Sequence, residues 1–448
     1  MAKIRTFYDP IIFNNELESI DLDKYLIATM YFESSPEYGD FVDHLAFIAR
    51  MGLQGATGSW VDVKGETDLV RSRLCFKIIG FYQIPGEGRI KRAVVQFAYP
   101  IEAWKPNIPS IILSPLGNVL FAPGKVRCLD VAFPRSLAKE FKGPKFGVEG
   151  IRKELGVKDR PLLLSIAKPK MGMTPEETAK QAYESIIGGA DMYKDDEMNT
   201  ETWNCSFEDR LTAVLEALDK AREETGRKAI YFITATDEVN KLCEKAEKAC
   251  EMGATGLLLP YSIGWSALRV VAEDPSVNVP IFFHPAHSGA ILDRVSYPVY
   301  AKFSRLCGAD VMITPTEWGA LPIVSFEEAV RSVQVCLSPF YHIKQTLPGP
   351  GGGMYHGLVP TLLKELGTDI VIMAGGGIHG HPQGTIAGAK AFRQAIDAVM
   401  NGIPLSEAAK ENPELKAAID TWGIFKRPIF PYDGLYPKYP PKIPESIE

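Results

Sequence analysis

The sequence predicts an α/β protein in which an N-terminal α+β domain precedes a (β/α)₈ TIM barrel and a proline-rich C-terminal tail ends the chain. From about Pro161 onward the chain repeats one unit, a short apolar run followed by a stretch with helical periodicity. Before residue 145 the pattern is instead alternating and turn-rich. From Arg427 the chain contains six prolines and four aromatic residues, which excludes a regular helix there.

The N-terminal part is predicted to be a separate domain, because 448 residues exceed a single core of ordinary size. Alternating segments at 24–32 and 92–98 predict strands, and residues 37–50 predict a helix. We predict the following bounds: 1–145 for the α+β domain, 146–426 for the barrel and 427–448 for an extended tail.

Eight apolar runs predict the eight barrel strands. They are 162–167, 190–193, 229–235, 255–259, 279–283, 309–313, 343–347 and 370–374. The helices predicted between them include 175–188, 207–224, 238–251, 294–307 and 386–401. A doubly wound open sheet is the alternative, but eight consecutive units in about 250 residues favour a closed barrel.

Composition narrows the class of protein. The chain is 46% hydrophobic and 23% charged with a net charge of −6, and it has no basic tract, which argues against nucleic acid as a partner. The first residues lack the apolar core of a signal peptide, and nowhere do 18 apolar residues run together, so we expect a cytoplasmic protein without membrane contact. Seven cysteines without a Cys-x-x-Cys pair fit a reducing compartment.

The most informative stretch is 190–197, where an apolar run ends in one lysine and three carboxylates. Asp196 and Glu197 can supply the oxygen ligands that Mg²⁺ prefers, whereas an ammonium group is no ligand at all. Lys194 could join them only after its amine had reacted with CO2 to give a carbamate. A solvated charge cluster at a helix start is the alternative interpretation of such a run.

Other reactive groups also follow predicted strands, and in a (β/α)₈ barrel the carboxyl ends of the strands meet on one face. Lys168 and Lys170 follow the first strand, and Lys168 beside a metal site could act as a general base or a protonated electrophile. His284 ends the fifth strand and could equally be a core side chain. Glycine triplets at 351–353 and 375–377 follow strands seven and eight, where backbone N–H groups often bind phosphate.

These residues lie in longer motifs that resemble the large subunit of ribulose-bisphosphate carboxylase (RuBisCO), in the right order over nearly the whole chain. The motifs are Thr57–Trp60, Gly117–Val119, Phe146–Gly150, Leu164–Met173, Gly188–Glu197 and Gly375–Pro382. The resemblance implies an N-terminal domain on a barrel. It also implies a homodimer in which the N-terminal domain of one subunit closes the barrel mouth of the other, with the active site at the interface.

The resemblance implies roles for individual residues. Lys194 matches the lysine that becomes carbamylated and, with Asp196 and Glu197, binds Mg²⁺. Lys168 matches the proton-transfer lysine, with Lys170 beside it as a further catalytic candidate, and His284 matches a histidine next to the substrate. Asn118 matches an asparagine that reaches the substrate from the partner subunit. The implied site for one phosphate consists of Ser59, Trp60, Gly352, Gly353, Gly376 and Gly377.

The departures from the carboxylase pattern argue against CO2 fixation. The loop after the sixth strand, 314–322, lacks the lysine that stabilises the carboxylated transition state, and losing such a cation typically costs several kcal/mol. At the second phosphate site, Pro285, Ile313 and Gly351 stand where an arginine, a histidine and a serine are expected. We therefore expect a substrate with one phosphate and a smaller or less charged far end.

This pattern resembles the RuBisCO-like (type IV) proteins, which do not fix CO2. Residues 284–290 and the run from Gly357 to Val399 resemble the 2,3-diketo-5-methylthiopentyl-1-phosphate enolases of methionine salvage, although those enolases have a basic lysine where this chain has Asn118. We therefore predict Mg²⁺-dependent enolisation of a keto-sugar phosphate, as an enolase or isomerase. The alternatives are decarboxylation of a branched keto-sugar acid phosphate, residual carboxylase activity, and a non-catalytic sensor of a phosphorylated metabolite. The sequence leaves the roles of His287, His356 and His379 open, with a structural role as the default for each.

Overall fold

A computed structural model describes residues 17–34, 64–65, 67–86, 88–121 and 124–426. The predicted helix at 37–50, the predicted phosphate residues Ser59 and Trp60, and the predicted tail at 427–448 lie outside the described residues.

The described N-terminal part is built on a four-stranded antiparallel sheet. Its strands are β1 (Tyr25–Glu33), β2 (Lys77–Ile84), β3 (Arg92–Pro100) and β4 (Lys125–Ala132), in the spatial order β2-β3-β1-β4. Every second residue of β1 is buried, so one face of the sheet covers a core and the two predicted strands are confirmed. Short helices lie around it at Asp68–Leu74, Ile108–Ile112 and Arg135–Ala138.

The second part is the predicted barrel of eight parallel strands, with each strand paired to its neighbour in sequence. The strands are β5 (Leu162–Ile166), β6 (Met192–Lys194), β7 (Ile230–Thr234), β8 (Gly256–Pro260), β9 (Ile281–His284), β10 (Val311–Thr314), β11 (Leu347–Pro350) and β12 (Val371–Ala374). β12 pairs with β5, and the bridge between Gly351 and Met373 joins β11 to β12. The prediction of a closed barrel over an open sheet is therefore confirmed.

Helices surround the barrel and include all five predicted ones, with their bounds shifted by at most three residues. The helices are Gly147–Leu155, Pro175–Gly188, Phe207–Thr225, Val239–Glu251, Gly264–Glu273, Tyr297–Leu306, Phe326–Leu337, Val359–Leu366, Gly376–His379, Thr385–Met400, Leu405–Glu411 and Pro413–Trp422. Local sequence explains the bounds of 175–188, because Thr174 and Glu177 form a capping box at its start and Gly189 ends it at φ 118°.

Side chains that point into the barrel form a core of their own, and helix Gly147–Leu155 packs against this core. In β6 and β9 the buried members of the core are Met192 and Phe282. Because alternate residues of a strand share one face, Lys194 and His284 lie in the next layer above them, at the carboxyl end of the barrel. The strand period thus places both reactive residues at the barrel mouth.

Among the barrel strands, the seventh is the one whose predicted position is wrong. It was predicted at 343–347 but is Leu347–Pro350. Residues 343 and 344 cannot pair as a strand because their carbonyl oxygens accept hydrogen bonds from the buried Arg305 guanidinium, at 2.9 and 2.7 Å. Prolines 348 and 350 lack the N–H groups of an ordinary central strand, so the true strand carries no strand signal in the sequence.

The two parts of the chain pack together on the flank of the barrel. The N–H of Cys128 in β4 donates to the Arg294 carbonyl, and the N–H of Ser296 donates to the Cys128 carbonyl, both at 2.8 Å. Arg127 of β4 forms an ion pair with Glu328 at 2.8 Å. These contacts hold β4 against the beginnings of the helices that follow β9 and β10. Among the described residues, no helix is long and apolar enough to cross a membrane.

Candidate active site

Lys194 occupies the centre of the barrel mouth and is fully buried. Its Nζ donates to the Asp195 carbonyl at 2.7 Å and lies 5.6 Å from the centre of the Phe282 ring. Burial lowers the pKa of this amine to about 8, although Glu197 and Asp196 act in the opposite direction. A substantial fraction of Lys194 is therefore uncharged, and nucleophilic, at mildly alkaline pH.

The three carboxylates that follow Lys194 separate into two groups. Asp195 points outward between the barrel and helix Phe207–Thr225, where it forms a buried ion pair with Arg210 at 3.0 Å and accepts a hydrogen bond from Tyr231 at 2.7 Å. Asp196 and Glu197 instead face the barrel mouth. Only the latter two are free to bind an ion or a substrate, so the structure brings together the carboxylates that were predicted as metal ligands.

Two lysines from the end of β5 neutralise these carboxylates. Lys168 Nζ lies 2.6 Å from Asp196 Oδ2, while Lys170 Nζ lies 3.5 Å from Glu197 Oε1 and 3.9 Å from Asp196 Oδ1. Burial works to raise the pKa of Glu197, but Lys194 and hydrogen bonds outweigh it and leave the pKa below its usual value. Glu197 is thus held in its charged form.

His284 approaches the same cluster from β9. Its Nε2 lies 3.3 Å from Glu197 Oε2, and its Nδ1 accepts a hydrogen bond from the Ala286 N–H at 3.0 Å. Because Nδ1 is an acceptor, the ring hydrogen is on Nε2, which faces Glu197. Burial, reinforced by Lys194, holds the pKa of His284 well below its usual value, so the ring is neutral and acts as a donor.

The donor set of the mouth is of the kind that a hard metal ion prefers, and modification of Lys194 would extend it. In the described part of the chain, no group of three His, Cys, Asp or Glu side chains is placed to hold a metal ion. Asp196 and Glu197 supply two oxygen donors of the kind that Mg²⁺ prefers. A carbamate on the buried Lys194 would add a third, which is the chemistry that the low pKa of its amine permits.

The predicted phosphate-binding glycines form two separate turns. Gly352 and Gly353 have φ of 125° and 70°, conformations that other residues rarely adopt. Gly376 and Gly377 are the first residues of helix Gly376–His379, so their N–H groups have no acceptor within that helix. A side chain at Gly376 would meet nothing within 4 Å, which leaves this position open to a ligand.

The loop after β10, residues 314–322, packs onto the first of these turns. The Ala320 N–H donates to the Gly353 carbonyl at 3.2 Å, and a Cβ at Gly319 would lie 2.7 Å from the Gly352 carbonyl oxygen. Trp318, also in this loop, is fully buried and donates from Nε1 to Glu365 at 2.7 Å. The loop that lacks the carboxylase lysine is therefore anchored by a tryptophan.

Asn118, unlike the other catalytic candidates, is not brought to the cluster by the structure. It begins a short 3-10 helix, Asn118–Phe121, in the N-terminal domain, and its side chain is exposed. The next residue, Val119, is buried in the N-terminal core, which fixes the position of this segment on the domain. A role at the barrel mouth would have to come from another subunit, as the resemblance implies.

The structure adds residues to the site that sequence reasoning missed. Gln181, on helix Pro175–Gly188, hydrogen-bonds both the N–H and the C=O of Lys168. Gly375 lies under the Lys168 side chain, since a Cβ there would be 3.1 Å from Lys168 Cε. Nothing in the local sequence of either residue signals these contacts, because each depends on packing between distant elements. His356 and His379 bind backbone carbonyls, of Gly388 and Ile166 respectively, as structural histidines do.

An antiparallel N-terminal domain joined to a (β/α)₈ barrel, with lysines and carboxylates at the barrel mouth, is the arrangement of RuBisCO-type proteins. A family model described as "Ribulose bisphosphate carboxylase large chain, catalytic domain" matches residues 147–422. The chain belongs to this family.

The chain is also similar to individual proteins of this family. The chain is 40% identical over 409 residues to a ribulose bisphosphate carboxylase-like protein of Archaeoglobus fulgidus, covering 88% of this chain and 92% of that protein. It is 38% identical over 342 residues to the 2,3-diketo-5-methylthiopentyl-1-phosphate enolase of Geobacillus kaustophilus, covering 75% and 82%. The crystal structure of a rubisco-like protein (MtnW) from Alicyclobacillus acidocaldarius superposes with a TM-score of 0.81 at 33% identity, covering 89% of this chain and 100% of that one.

Proposed function

We propose that this protein is a Mg²⁺-dependent enolase or isomerase of a keto-sugar monophosphate, of the methionine-salvage type, and not a productive CO2 fixer. The observation that carries the proposal is the cluster at the barrel mouth, where a buried lysine amine of lowered pKa lies among two carboxylates and a second lysine. Relatives named as enolases of 2,3-diketo-5-methylthiopentyl 1-phosphate support the choice of substrate.

The cluster supplies the parts that enolisation needs. Asp196, Glu197 and a carbamate formed from CO2 on Lys194 would hold Mg²⁺, which when bound acts as a Lewis acid toward the substrate carbonyl. Lys168 Nζ lies 2.6 Å from Asp196 and, in its neutral form, can take the proton from the carbon next to that carbonyl. His284 donates from Nε2 and can orient an oxygen of the substrate.

The phosphate of the substrate is assigned to the glycine turns after β11 and β12. Gly376 presents backbone that an anion can approach closely, since a Cβ there would meet nothing within 4 Å. Gly352, Gly353 and Gly377 are assigned to the site by the resemblance. Ser59 and Trp60 are proposed to complete this site on the strength of the resemblance alone.

The side of the mouth at β9 and β10 fits an uncharged group. Pro285 and Ile313 offer no donor to a second phosphate, and the partly buried Ile313 packs against the apolar barrel interior. The loop at 314–322 carries no lysine to stabilise a carboxylated product, so addition of CO2 to the enol is disfavoured.

A homodimer is part of the proposal, because Asn118 reaches the mouth only from a partner subunit. Phe121, three residues after Asn118, is 85% exposed and would lie at the interface that brings Asn118 to the partner's barrel mouth.

The second candidate reaction is decarboxylation of a branched keto-sugar acid phosphate, which uses the same carbonyl polarisation. Asn118 is the observation that favours it, because a neutral amide cannot replace the lysine base of the enolases. Residual carboxylase activity and a non-catalytic metabolite sensor are weaker candidates, since the first lacks the loop lysine and the second does not need an intact set of metal ligands.

The test is turnover of 2,3-diketo-5-methylthiopentyl 1-phosphate in D2O, followed by NMR, after incubation with Mg²⁺ and bicarbonate. We expect enol formation with deuterium incorporation, and its loss in Asp196→Asn. Glu201→Gln is the matched control, because Glu201 is an exposed carboxylate on the same loop, paired with Lys245 at 3.3 Å. If the folded protein does not turn over this substrate, decarboxylation becomes the leading candidate. If the protein shows no turnover and Asp196→Asn keeps its affinity for a phosphorylated ligand, the sensor is favoured.

A further inference from the structure

The side chain of Gln181 pairs with the backbone of Lys168 at both of its polar groups. The Lys168 N–H donates to Gln181 Oε1 at 3.0 Å, and Gln181 Nε2 donates to the Lys168 carbonyl at 2.7 Å. This two-point contact reproduces the pairing that a neighbouring strand would give. It comes from helix Pro175–Gly188, thirteen residues further along the chain.

Lys168 needs such a partner because it lies beyond the end of the sheet. The last backbone hydrogen bond that the β5 strand donates to β6 runs from the Ala167 N–H to the Lys194 carbonyl, at 2.9 Å. Pro169, the residue after Lys168, has no N–H, so it cannot continue the pairing of the two strands. A backbone left without partners at this point would cost free energy and would leave the lysine free to turn.

A third hydrogen bond to the Gln181 amide comes from Tyr193. The Tyr193 hydroxyl donates to Gln181 Oε1 at 3.2 Å, so this oxygen accepts from two donors, and a flipped amide would place its NH2 group against the Lys168 N–H. Tyr193 is fully buried and directly precedes Lys194. Gln181 therefore couples the ends of the two strands that carry the reactive lysines.

The rest of the Lys168 side chain is held by contacts at two more points. Its stem lies across Gly375, where a Cβ would be only 3.1 Å from Cε, and its amine ends 2.6 Å from Asp196 Oδ2. Backbone, stem and amine are each fixed by a different element. Of these three contacts, only the one to Gln181 sets the direction in which the side chain leaves the backbone.

We propose that Gln181 is a positioning residue that aims Lys168 at the carboxylate cluster. The importance of this orientation for turnover rests on the proposed function, in which Lys168 moves the proton. The orientation of Lys168 itself does not rest on the proposed function, because it is a property of the folded chain before any substrate binds. A geometry lost by about 1 Å typically costs about 100-fold in rate.

The test compares Gln181→Leu with Gln394→Leu. Gln394 is the control because its amide also makes two hydrogen bonds, donating to the Glu414 carboxylate at 2.8 Å and accepting from the Leu415 N–H at 3.0 Å, neither of which involves Lys168. Competitive trace acetylation, read by peptide mass spectrometry, measures the reactivity of Lys168 relative to Lys170. We expect this ratio to rise several-fold in Gln181→Leu, as Lys168 loses its hold on Asp196, and to stay unchanged in Gln394→Leu.

Kinetics give the second readout. Gln181→Leu should lower kcat by about 10- to 100-fold with KM within about twofold, since a misaimed proton-transfer group affects the transition state and not substrate binding. Gln181→Glu keeps the shape and the acceptor oxygen but loses the donor, so it should fall between wild type and Gln181→Leu, and it takes over the test if Gln181→Leu does not fold. An unchanged acetylation ratio in both variants overturns the proposal. A raised ratio in a protein without enolase turnover supports the proposal and refutes the proposed function instead.

Discussion

Replacing Arg210 by methionine tests how the end of β6 is held in place behind the active site. Arg210 and Asp195 are both fully buried, and the guanidinium bonds Asp195 Oδ2 through Nε at 3.0 Å and the Asn199 carbonyl through Nη2 at 3.0 Å. Burial works to lower the pKa of Arg210, but Asp195 outweighs it and leaves the pKa above its usual value. The pair thus ties β6 and the loop after Asp196 to helix Phe207–Thr225.

The expected cost follows from what the substitution leaves behind. Arg210→Met keeps most of the side-chain volume but leaves the Asp195 carboxylate buried with only the Tyr231 hydroxyl and the Thr234 N–H as donors, at 2.7 and 3.0 Å. Removing one partner of a buried ion pair typically costs about 3–5 kcal/mol. Asp195→Asn combined with Arg210→Met should recover part of this loss, because no buried charge then remains.

The assay is urea denaturation followed by circular dichroism. Lys416→Met is the control, because Lys416 pairs with Asp420 at 2.6 Å on an exposed helix surface, where a pair contributes about 0.3–0.5 kcal/mol. A cost in Arg210→Met as small as that of the control would refute the reasoning. So would a double variant that is less stable than Arg210→Met alone.

Three further predictions concern the mouth itself. Gly376→Ala should fold normally, because its Cβ meets nothing within 4 Å. It should raise KM for a phosphorylated substrate about tenfold, because the new methyl group crowds the backbone N–H groups that are proposed to bind the phosphate. An unchanged KM would place the phosphate elsewhere. Gly353→Ala should lower the free energy of unfolding by about 1–3 kcal/mol and with it the midpoint of thermal unfolding, since φ is 70° and the new Cβ would lie 2.6 Å from Ala320 Cβ. An unchanged midpoint would contradict this. With the pKa of Lys194 at about 8, its neutral fraction rises from about one tenth at pH 7 to about one half at pH 8. The ¹³C signal of a Lys194 carbamate at fixed dissolved CO2 should therefore grow over that range, whereas a flat signal would speak against a titrating amine.

The barrel could be predicted because its signals are local. Each apolar run is followed by its own helix, and the capping pair Thr174 and Glu177 marks a helix start in the sequence itself. β11 could not be placed, since the carbonyl groups that divert residues 343 and 344 bind Arg305, which lies about forty residues earlier. The domain bounds at 145 and 426 stay predictions.

The candidate site was predictable as far as strand ends specify it. Because successive residues of a strand face opposite sides, Lys194 and Asp196 face the mouth and Asp195 faces away from it. The metal ligands predicted from the sequence agree with this arrangement. Gln181 could not be found, because a glutamine on a helix carries no signal of what its side chain bonds. The proposed roles of Asn118, Ser59 and Trp60 stay predictions that depend on a partner subunit or on residues outside the described ranges.

Calorimetric titration of Mg²⁺ into the purified protein, in CO2-free buffer and in buffer with bicarbonate, tests the central claim most directly. The described chain offers Asp196 and Glu197 but no group of three His, Cys, Asp or Glu side chains that could hold a metal ion. Binding of Mg²⁺ should therefore require bicarbonate in the wild type and be absent in Lys194→Met under both conditions. Equal binding of Mg²⁺ with and without bicarbonate, retained in Lys194→Met, would contradict the account.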